Sequence, residues 1–266
     1  MIVFLFVLLN SYVEKNKCIS SHTCSQKGQD QWVIGISSLP PYFVDLAAND
    51  PISDSNTVVL EKVMNWTGLC IEANPSYVSK LKQKRNCKVV QAAVSNTNDK
   101  NVVFVKNHVL GGILSSEFDN VEINNKETFK TTTRRLEDIL VEANVPSKIG
   151  YLSLDVEGAE EAALPANFPF DRYVFSLITI ERPPPLLNTR LFANGYLFVR
   201  NHNFDTFYIH NTHPHAHKIH KNDSFKQVAA KCTKNRKRIT ATHTFFGRCE
   251  YPGFPKETTV YEVDNT

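Results

Sequence analysis

Short apolar runs and helix-forming stretches alternate along most of the chain, and this alternation limits the fold more than any other feature of the sequence. Strand-like runs occur at 42–46, 68–72, 88–94, 149–156 and 173–181, and helical stretches lie among them at 53–66, 75–84 and 133–145. Strands joined through helices pair in parallel, and the helices then cover both faces of the sheet. The sequence therefore predicts an α/β fold.

A different arrangement is predicted near residue 200. A helix over 185–195 ends at Gly195, which suits the left-handed position that follows many helices. Two strand-like runs come next, at 196–200 and 204–210, with a short Asn-His-Asn turn between them. Such a pair forms an antiparallel hairpin, so we expect one antiparallel strand in an otherwise parallel sheet.

The charge of the chain is small overall but concentrated near one end. A net charge of +3 over 266 residues is too weak to indicate nucleic-acid binding by itself. Residues 211–250, however, contain nine Lys and Arg against two acids, and five of the nine histidines. We therefore expect 211–266 to be a basic, His-rich C-terminal extension. For the histidines at 213–220 a solvated tail is favoured over a metal site, because no acid supports them.

The chain begins with nine apolar residues. This run is far shorter than the ~20 residues that a membrane-spanning helix needs, so no transmembrane span is predicted. It suits the apolar region of a secretory signal, although a buried first strand would have the same composition. Residues 1–24 are thus predicted to be a signal-like leader. The protein would belong to the secretory pathway or the extracellular space if the run is a signal, and to the cytoplasm otherwise.

Six cysteines are too few for a scaffold built on disulfides, and none has the spacing of a structural zinc site. Cys70 lies near the end of one predicted strand and Cys87 at the start of the next. In parallel neighbours these positions fall at opposite ends of the sheet, so we expect the two sulfurs to be out of bonding reach. The pairs left open, if the protein is secreted, are Cys18–Cys24 and Cys232–Cys249.

Four predicted strands end in a carboxylate: Asp45, Glu72, Asp155 and Glu181. The carboxyl ends of parallel strands lie along one edge of a sheet, where open α/β sheets bind their ligands. Grouped carboxylates repel one another unless a ligand or a cation lies among them. The sequence therefore predicts a ligand site at this edge.

The position of Glu72, 27 residues after Asp45, narrows the ligand. In dinucleotide-binding folds an acid about 20 residues after the first loop accepts hydrogen bonds from ribose hydroxyls. The chain contains neither a GxGxxG sequence nor a GxxxxGK[ST] sequence, which disfavours NAD, FAD and ATP bound by a P-loop. A ribose ligand that brings no phosphate, such as S-adenosylmethionine, fits these observations.

Several stretches, in this order and spacing, resemble the FkbM-type family of S-adenosylmethionine-dependent methyltransferases over residues 25–210. They are SQKGQDQWV (25–33), FVDLAANDP (43–51), SNTVVLE (55–61), GLCIEANPSYVSKL (68–81), RNCKVVQAAVS (85–95), YLSLDVEGAE (151–160) and ITIERP (178–183). The resemblance implies a Rossmann-like methyltransferase fold with a single seven-stranded, mostly parallel sheet and helices on both faces. We expect the strand order 3-2-1-4-5-7-6, with only the last strand antiparallel and with residues before 25 and after 211 outside the core.

The resemblance also implies O-methylation of a hydroxyl, often on a sugar or natural product, and a set of site residues. The predicted cofactor-binding residues are Asp45, Ala47, Asn49, Glu72, Ala73, Asn74 and Ala93. The first loop departs from the family pattern, because Ala47 replaces a glycine and Asp50-Pro51 stands where a second is usual. Alanine does not suit a turn with positive φ. We therefore favour a different turn, stiffened by Pro51, over weakened cofactor binding.

Asp155 and Glu157 are the predicted catalytic residues. Side chains alternate along a strand, so these two carboxylates point to the same side at its carboxyl end. Either one is suited to remove the proton of a hydroxyl, or both to hold a divalent cation that lowers the hydroxyl's pKa. The competing interpretation is that they only cap the following helix.

Two other functions remain open. One is a non-catalytic binding module on a methyltransferase fold, which the glycine-free loop makes plausible. The other is a nucleic-acid methyltransferase that uses the basic run at 234–238. It is disfavoured because LDVEGAE stands where amino-methylating enzymes carry Asn/Asp-Pro-Pro-aromatic, and no aromatic residue interrupts the run for base stacking. The expected partner is a small-molecule or glycan acceptor, contacted by loops at 106–130 and by the C-terminal tail.

Overall fold

The computed structural model describes residues 18–219 except Asn124, residues 225–228, and the backbone of three short strands beyond them. The apolar run predicted to be a signal, Cys232 and most of the basic run at 234–238 lie outside the described residues. Among the residues that the structure does describe, no helix is long and apolar enough to cross a membrane.

Strands and helices alternate as the sequence predicts. In chain order the strands are β1 (Tyr42–Leu46), β2 (Thr67–Glu72), β3 (Lys88–Gln91), β4 (Ala93–Val94), β5 (Asn101–Val105), β6 (Gly112–Ile113), β7 (Thr128–Arg134), β8 (Lys148–Leu154), β9 (Val174–Glu181), β10 (Tyr196–His202), β11 (Asp205–His210), β12 (Ala230–Lys231), β13 (Arg238–Ile239) and β14 (Arg248–Cys249). The helices are α1 (Gln29–Ile34), α2 (Val58–Lys62), α3 (Pro75–Lys84), α4 (Leu136–Glu142), α5 (Glu160–Ala163) and α6 (Pro185–Ala193). The predicted α/β class is confirmed.

The main sheet has seven strands in the order β10-β11-β9-β8-β1-β2-β3. Numbered along the chain, these strands lie in the predicted order. The sheet is mixed: β1, β2, β3, β8 and β9 pair in parallel, whereas β11 is antiparallel to both β9 and β10. The carboxyl ends of the parallel strands consequently share one edge.

Helices pack on both faces of this sheet because its strands are apolar on both sides. Val44 and Leu46 of β1 belong to a buried cluster that includes residues of α4, α5 and α6. Phe43, one position along, belongs to a second cluster with residues of α1, α2 and α3. Because successive side chains of a strand point to opposite faces, α4, α5 and α6 cover one face of the sheet, and α1, α2 and α3 cover the other.

The expectation of a single sheet is wrong. The strands β4, β7, β5 and β6 form a separate four-stranded sheet, and β12–β14 form a small third one. The stretch up to Lys130 was expected to be loop, but β7 begins at Thr128 and pairs antiparallel with β5. Its sequence, TFKTTTR, is polar and only partly buried, so it lacks the apolar run by which the buried strands are recognised.

The expectation that Cys70 and Cys87 cannot meet is also wrong, because they form a disulfide with their Cα atoms 6.0 Å apart. The reason is a stagger between the strands. β3 begins at Lys88, opposite Leu69 in the middle of β2, so Cys87 lies beside Cys70 rather than at the far end of the sheet. A second disulfide joins Cys18 to Cys24, one of the pairs left open.

Parts of both terminal segments pack on the domain, contrary to expectation. Cys24 is buried against Val58 and Val59 of α2. His213 is also buried, and its Nε2 lies 3.1 Å from the backbone oxygen of Ser37. It precedes a 3-10 helix, Pro214–Lys218. The first part of the His-rich segment is therefore attached to the domain rather than a solvated tail.

Candidate functional site

A narrow cleft opens where β1, β2 and β8 end, and it contains about 570 Å³ of space including the part open to solvent. We call it the cofactor cleft, because most of the cofactor-binding residues predicted from the sequence line it. The predicted site residues that line it are Ala47, Asn49, Glu72, Ala73, Asn74, Ala93 and Asp155. Residues that follow the ends of different strands therefore lie together in this cleft, as the sequence predicts for this edge of the sheet.

Glu72 supplies the most constrained polar group of the cleft. Its Oε1 accepts a hydrogen bond from the backbone N–H of Asn74 at 2.7 Å, and its Oε2 accepts one from the N–H of Asn49 at 3.0 Å. Burial raises the pKa of this carboxyl to about 7, against the lowering effect of the N–H donors. A carboxylate has about four lone-pair sites, so Glu72 can accept a further hydrogen bond from a ligand.

The Oδ1 atom of Asn49 is buried and has no hydrogen-bond partner within the described part of the chain. A buried acceptor without a partner costs free energy, of the order of 1–3 kcal/mol, unless a ligand or water supplies a donor. The cleft therefore offers Glu72 and Asn49 as acceptors beside each other. A ligand with hydroxyl or amino donors fits this arrangement.

The remaining walls of the cleft are mostly apolar, and several of their residues were not predicted. Phe104 and Ile113 come from the second sheet, Tyr77 from α3, and His108 from the turn between β5 and β6. Tyr77 lies within the stretch 68–81 but was not singled out. Phe104, His108 and Ile113 lie outside every stretch that carries the resemblance, because the second sheet reaches the cleft only through tertiary packing. An apolar wall opposite two acceptors suits a nucleoside, whose base is flat and whose sugar carries hydroxyls.

The first loop adopts the turn that its sequence disfavours. Ala47 has φ = 66° and Asn49 has φ = 51°, so the expectation of a turn without positive φ at Ala47 is wrong. The N–H groups of Ala47 and Ala48 both donate to the backbone oxygen of Ile71, at 2.9 and 3.1 Å. These bonds, with the Asn49–Glu72 bond, offset the 1–2 kcal/mol that a non-glycine residue loses in this conformation.

Asp45 is not among the residues that line the cleft. Its Oδ2 accepts a hydrogen bond of 2.6 Å from the Thr57 hydroxyl, which also accepts one from Arg85 at 2.9 Å. Burial raises the pKa of Asp45, while the Arg85 charge lowers it. Asp45 therefore ties β1 to the start of α2, beneath the loop that carries Asn49.

Three carboxylates meet at the far side of the cleft. One oxygen each of Asp155, Glu157 and Glu181 lie within 4.8 Å of one another, and we call this set the acid cluster. Asp155 is exposed to solvent but lies in the wall of the cleft. Desolvation by the surrounding protein, followed by the charges of Glu181 and Glu157, raises the pKa of Asp155 well above its ordinary value. Glu181 is also ion-paired with Arg182.

The acid cluster has two chemical uses. A carboxylate with a raised pKa accepts a proton near neutral pH, whereas three carboxylates at this spacing suit a hard cation such as Mg²⁺ or Ca²⁺. The N-cap residue of α5 is Ala159, and it makes no side-chain cap hydrogen bond. Glu160 accepts hydrogen bonds from the N–H groups of Val156 and Gly158, at 3.2 and 3.0 Å, in the turn before α5.

The family model for the methyltransferase FkbM domain matches residues 45–222. This range contains every residue of the cofactor cleft and of the acid cluster. No curated protein and no solved structure matches the chain significantly.

Proposed function

Because the chain belongs to the FkbM methyltransferase family, we propose that it transfers the methyl group of S-adenosylmethionine to a hydroxyl of a sugar or small metabolite. The observation that carries this proposal is the Glu72 carboxylate. It is held by two backbone N–H groups and lines an apolar-walled cleft that Asp155 also lines.

Glu72 would hold the ribose hydroxyls, because its carboxylate lines the cleft and accepts hydrogen bonds. Asn49 would accept from a further donor of the cofactor, and Ala47, Ala73, Asn74 and Ala93 would let its atoms approach the backbone closely. Asp45 would act on the cofactor only through the loop that it supports. These roles follow from which groups line the cleft and which are already paired inside the domain.

S-adenosylmethionine, when bound, supplies an electrophilic methyl group on a positively charged sulfur. Asp155 would remove the proton of the attacking hydroxyl, so that the proton ends on its carboxylate oxygen. The new O–CH₃ bond would form as the methyl–sulfur bond breaks, with its electron pair left on sulfur as a neutral thioether. Glu157 and Glu181 would keep the pKa of Asp155 high enough for this role and would favour positive charge beside them. The raised pKa of Asp155 supports this assignment.

Activation of the hydroxyl by a divalent cation bound to the acid cluster is the alternative to proton removal by Asp155 alone. The cation would lower the pKa of a coordinated hydroxyl, and Asp155 would then be a ligand rather than a base. The 4.8 Å spacing of the three oxygens supports this alternative. Transfer measured with and without EDTA separates the two, since only a bound cation is removed by the chelator.

The proposal is tested by incubating the protein with methyl-labelled S-adenosylmethionine and a panel of glycans and small hydroxylated metabolites. We expect label in at least one acceptor, and calorimetry should detect cofactor binding to the protein alone. Binding without transfer to any acceptor would favour a non-catalytic binding module. No binding at all would contradict the proposal.

A further inference from the structure

The turn between α2 and β2 contains the sequence Asn-Trp-Thr at 65–67. Asn-x-Ser/Thr, with any residue except proline in the middle, is the sequence at which oligosaccharides are attached to asparagine in secreted proteins. The chain contains this sequence twice, here and at 222–224, and the second copy lies outside the described residues. Asn-Pro-Ser at 74–76 does not qualify, because proline occupies its middle position.

The fold leaves Asn65 on the surface. Helix α2 ends at Lys62, and Asn65 follows in the turn with φ = 56°, a conformation that asparagine adopts more readily than most residues. Its side chain is exposed and makes no hydrogen bond within the described part of the chain. The side-chain amide of Asn65 is therefore accessible, and the turn does not depend on it.

Trp66 points into the domain and anchors this turn. Its ring is partly buried against the cluster that contains Phe43 and Leu60. Its N–H also donates to the backbone oxygen of Leu60 at 3.0 Å. Thr67, the next residue, is exposed again. The two residues that define the attachment sequence, Asn65 and Thr67, thus lie on the surface, while the residue between them holds the turn in place.

The turn is remote from the cofactor cleft. Thr67 is the first residue of β2 and Glu72 is the last, so roughly 16 Å of extended strand separates the turn from the carboxyl edge of the sheet. An oligosaccharide attached to Asn65 would lie at the amino edge and leave the cleft open. The fold can therefore carry a bulky group at this position without closing its ligand site.

The cysteines are an independent indication of the compartment. All four cysteines whose side chains the structure describes are paired, as Cys18–Cys24 and Cys70–Cys87. Disulfides persist in oxidising compartments such as the lumen of the endoplasmic reticulum, and they are rare in the cytosol. Secreted proteins that pass through this lumen are also the ones whose Asn-x-Ser/Thr sequences accept oligosaccharides.

We propose that Asn65 is an N-glycosylation site and that the protein folds in the oxidising secretory pathway. The donor is a lipid-linked oligosaccharide diphosphate. The Nδ2 atom of Asn65 forms a bond to the anomeric carbon of the sugar and loses a proton. The bond between that carbon and the donor's phosphate oxygen breaks, and its electron pair stays on the phosphate. The proposal does not depend on methyl transfer.

The test expresses the full chain in cultured mammalian cells and treats the recovered protein with peptide N-glycosidase F, which converts a glycosylated asparagine to aspartate. We expect faster migration of the intact protein after treatment. Mass spectrometry should find the conversion at Asn65 in most treated molecules and not in untreated ones. Unmodified Asn65 in the recovered protein, whether secreted or retained in the cells, would overturn the proposal.

Two variants and a matched control show whether the attachment sequence is recognised. Asn65→Gln and Thr67→Ala each remove it at an exposed position, and we expect both to lose the modification at residue 65 completely. The control is Asn144→Gln, because Asn144 is exposed in the turn between α4 and β8, has φ = 54° and is followed by Val-Pro. This variant should carry the oligosaccharide on Asn65 as the wild type does. An oligosaccharide retained on Asn65 in Thr67→Ala would contradict the proposed recognition.

Discussion

The cofactor cleft and the acid cluster lie on the same edge of one sheet, but they are stabilised in different ways. Glu72 is held by backbone N–H groups of its own and the neighbouring strand's loop, at 2.7 and 3.0 Å. Asp155, Glu157 and Glu181 bring like charges within 4.8 Å. Backbone donors thus stabilise the carboxylate of the cleft, whereas like charges repel one another in the cluster. A hydrogen-bonded carboxylate such as Glu72 is suited to binding a ligand, whereas clustered carboxylates with raised pKa values are suited to proton transfer.

The strongest test of this difference is the loss of the Asp155 carboxylate. Asp155→Asn keeps the shape of the side chain but cannot accept the hydroxyl proton, so we expect turnover at saturating cofactor to fall about 100-fold or more. The Kd for S-adenosylmethionine and the melting temperature should change little. The matched control is Asp171→Asn, because Asp171 is exposed and does not line the cofactor cleft. Wild-type turnover in Asp155→Asn would show that Asp155 does not accept the hydroxyl proton.

Removing the charge of Glu72 tests the other side of the comparison. Glu72→Gln keeps one acceptor oxygen and loses the charged hydrogen bonds, which are worth roughly 1.5–3 kcal/mol. We expect the Kd for S-adenosylmethionine to rise tenfold to a hundredfold by calorimetry. Glu127→Gln, at a side chain that is 81% exposed, is the control. An unchanged Kd in a folded Glu72→Gln protein would show that the cofactor does not use this carboxylate.

The pKa of Glu72 also makes the cleft sensitive to pH. Since this carboxyl titrates near pH 7 in the folded protein and only its ionised form accepts two hydroxyl donors, cofactor affinity should fall as the pH decreases from 8 to 6. Calorimetry at several pH values measures this change. A flat profile in the wild-type protein would contradict the role of the ionised carboxylate.

Strain among the buried acids predicts an opposite effect on stability. Burial raises the pKa of Glu72 and Asp205 to about 7 and, together with the charge of Glu181, that of Glu160 to about 8. Unfolded carboxyls titrate near pH 4 to 4.5, so between about pH 4.5 and 8 the folded state binds more protons. The free energy of unfolding therefore falls as the pH rises through this range.

We accordingly expect the melting temperature to be several degrees higher at pH 5.5 than at pH 8. Glu160→Gln should reduce this difference, because its amide does not titrate. The control is Glu142→Gln, at a carboxylate that is mostly exposed. If the melting temperature rose with pH instead, the acids would be stabilised as anions and the account of strain would be wrong.

The smallest expected effect concerns the first loop. Ala47→Gly removes the cost of a positive φ, and the gain is partly offset by the greater freedom of glycine in the unfolded chain. We expect the free energy of unfolding to rise by about 0.5 kcal/mol in urea titration. Ala48→Gly is the control, because Ala48 does not have a positive φ and should lose stability. A destabilised Ala47→Gly protein would contradict this reading of the loop.

Sequence reasoning found the parts of the molecule in which neighbours along the chain determine the structure. The end of β2 at Glu72, the end of β8 just before Asp155 and the helix that begins at Pro75 follow from local pattern. Sequence reasoning failed where contacts between segments distant along the chain determine the structure. The stagger that joins Cys70 to Cys87 is set by how β3 packs on β2. Phe104 and Ile113 reach the cleft only because the second sheet folds against the first, and no local signal records that contact.

The disulfide between Cys70 and Cys87 affects the outcome of proteolytic cleavage. The two cysteines are 17 positions apart, and the covalent ring that they close contains Glu72, Asn74 and the whole of α3. A protease that cut the backbone once within this ring would leave both pieces attached to each other through sulfur. The nicked chain would migrate as one species until a reductant was added.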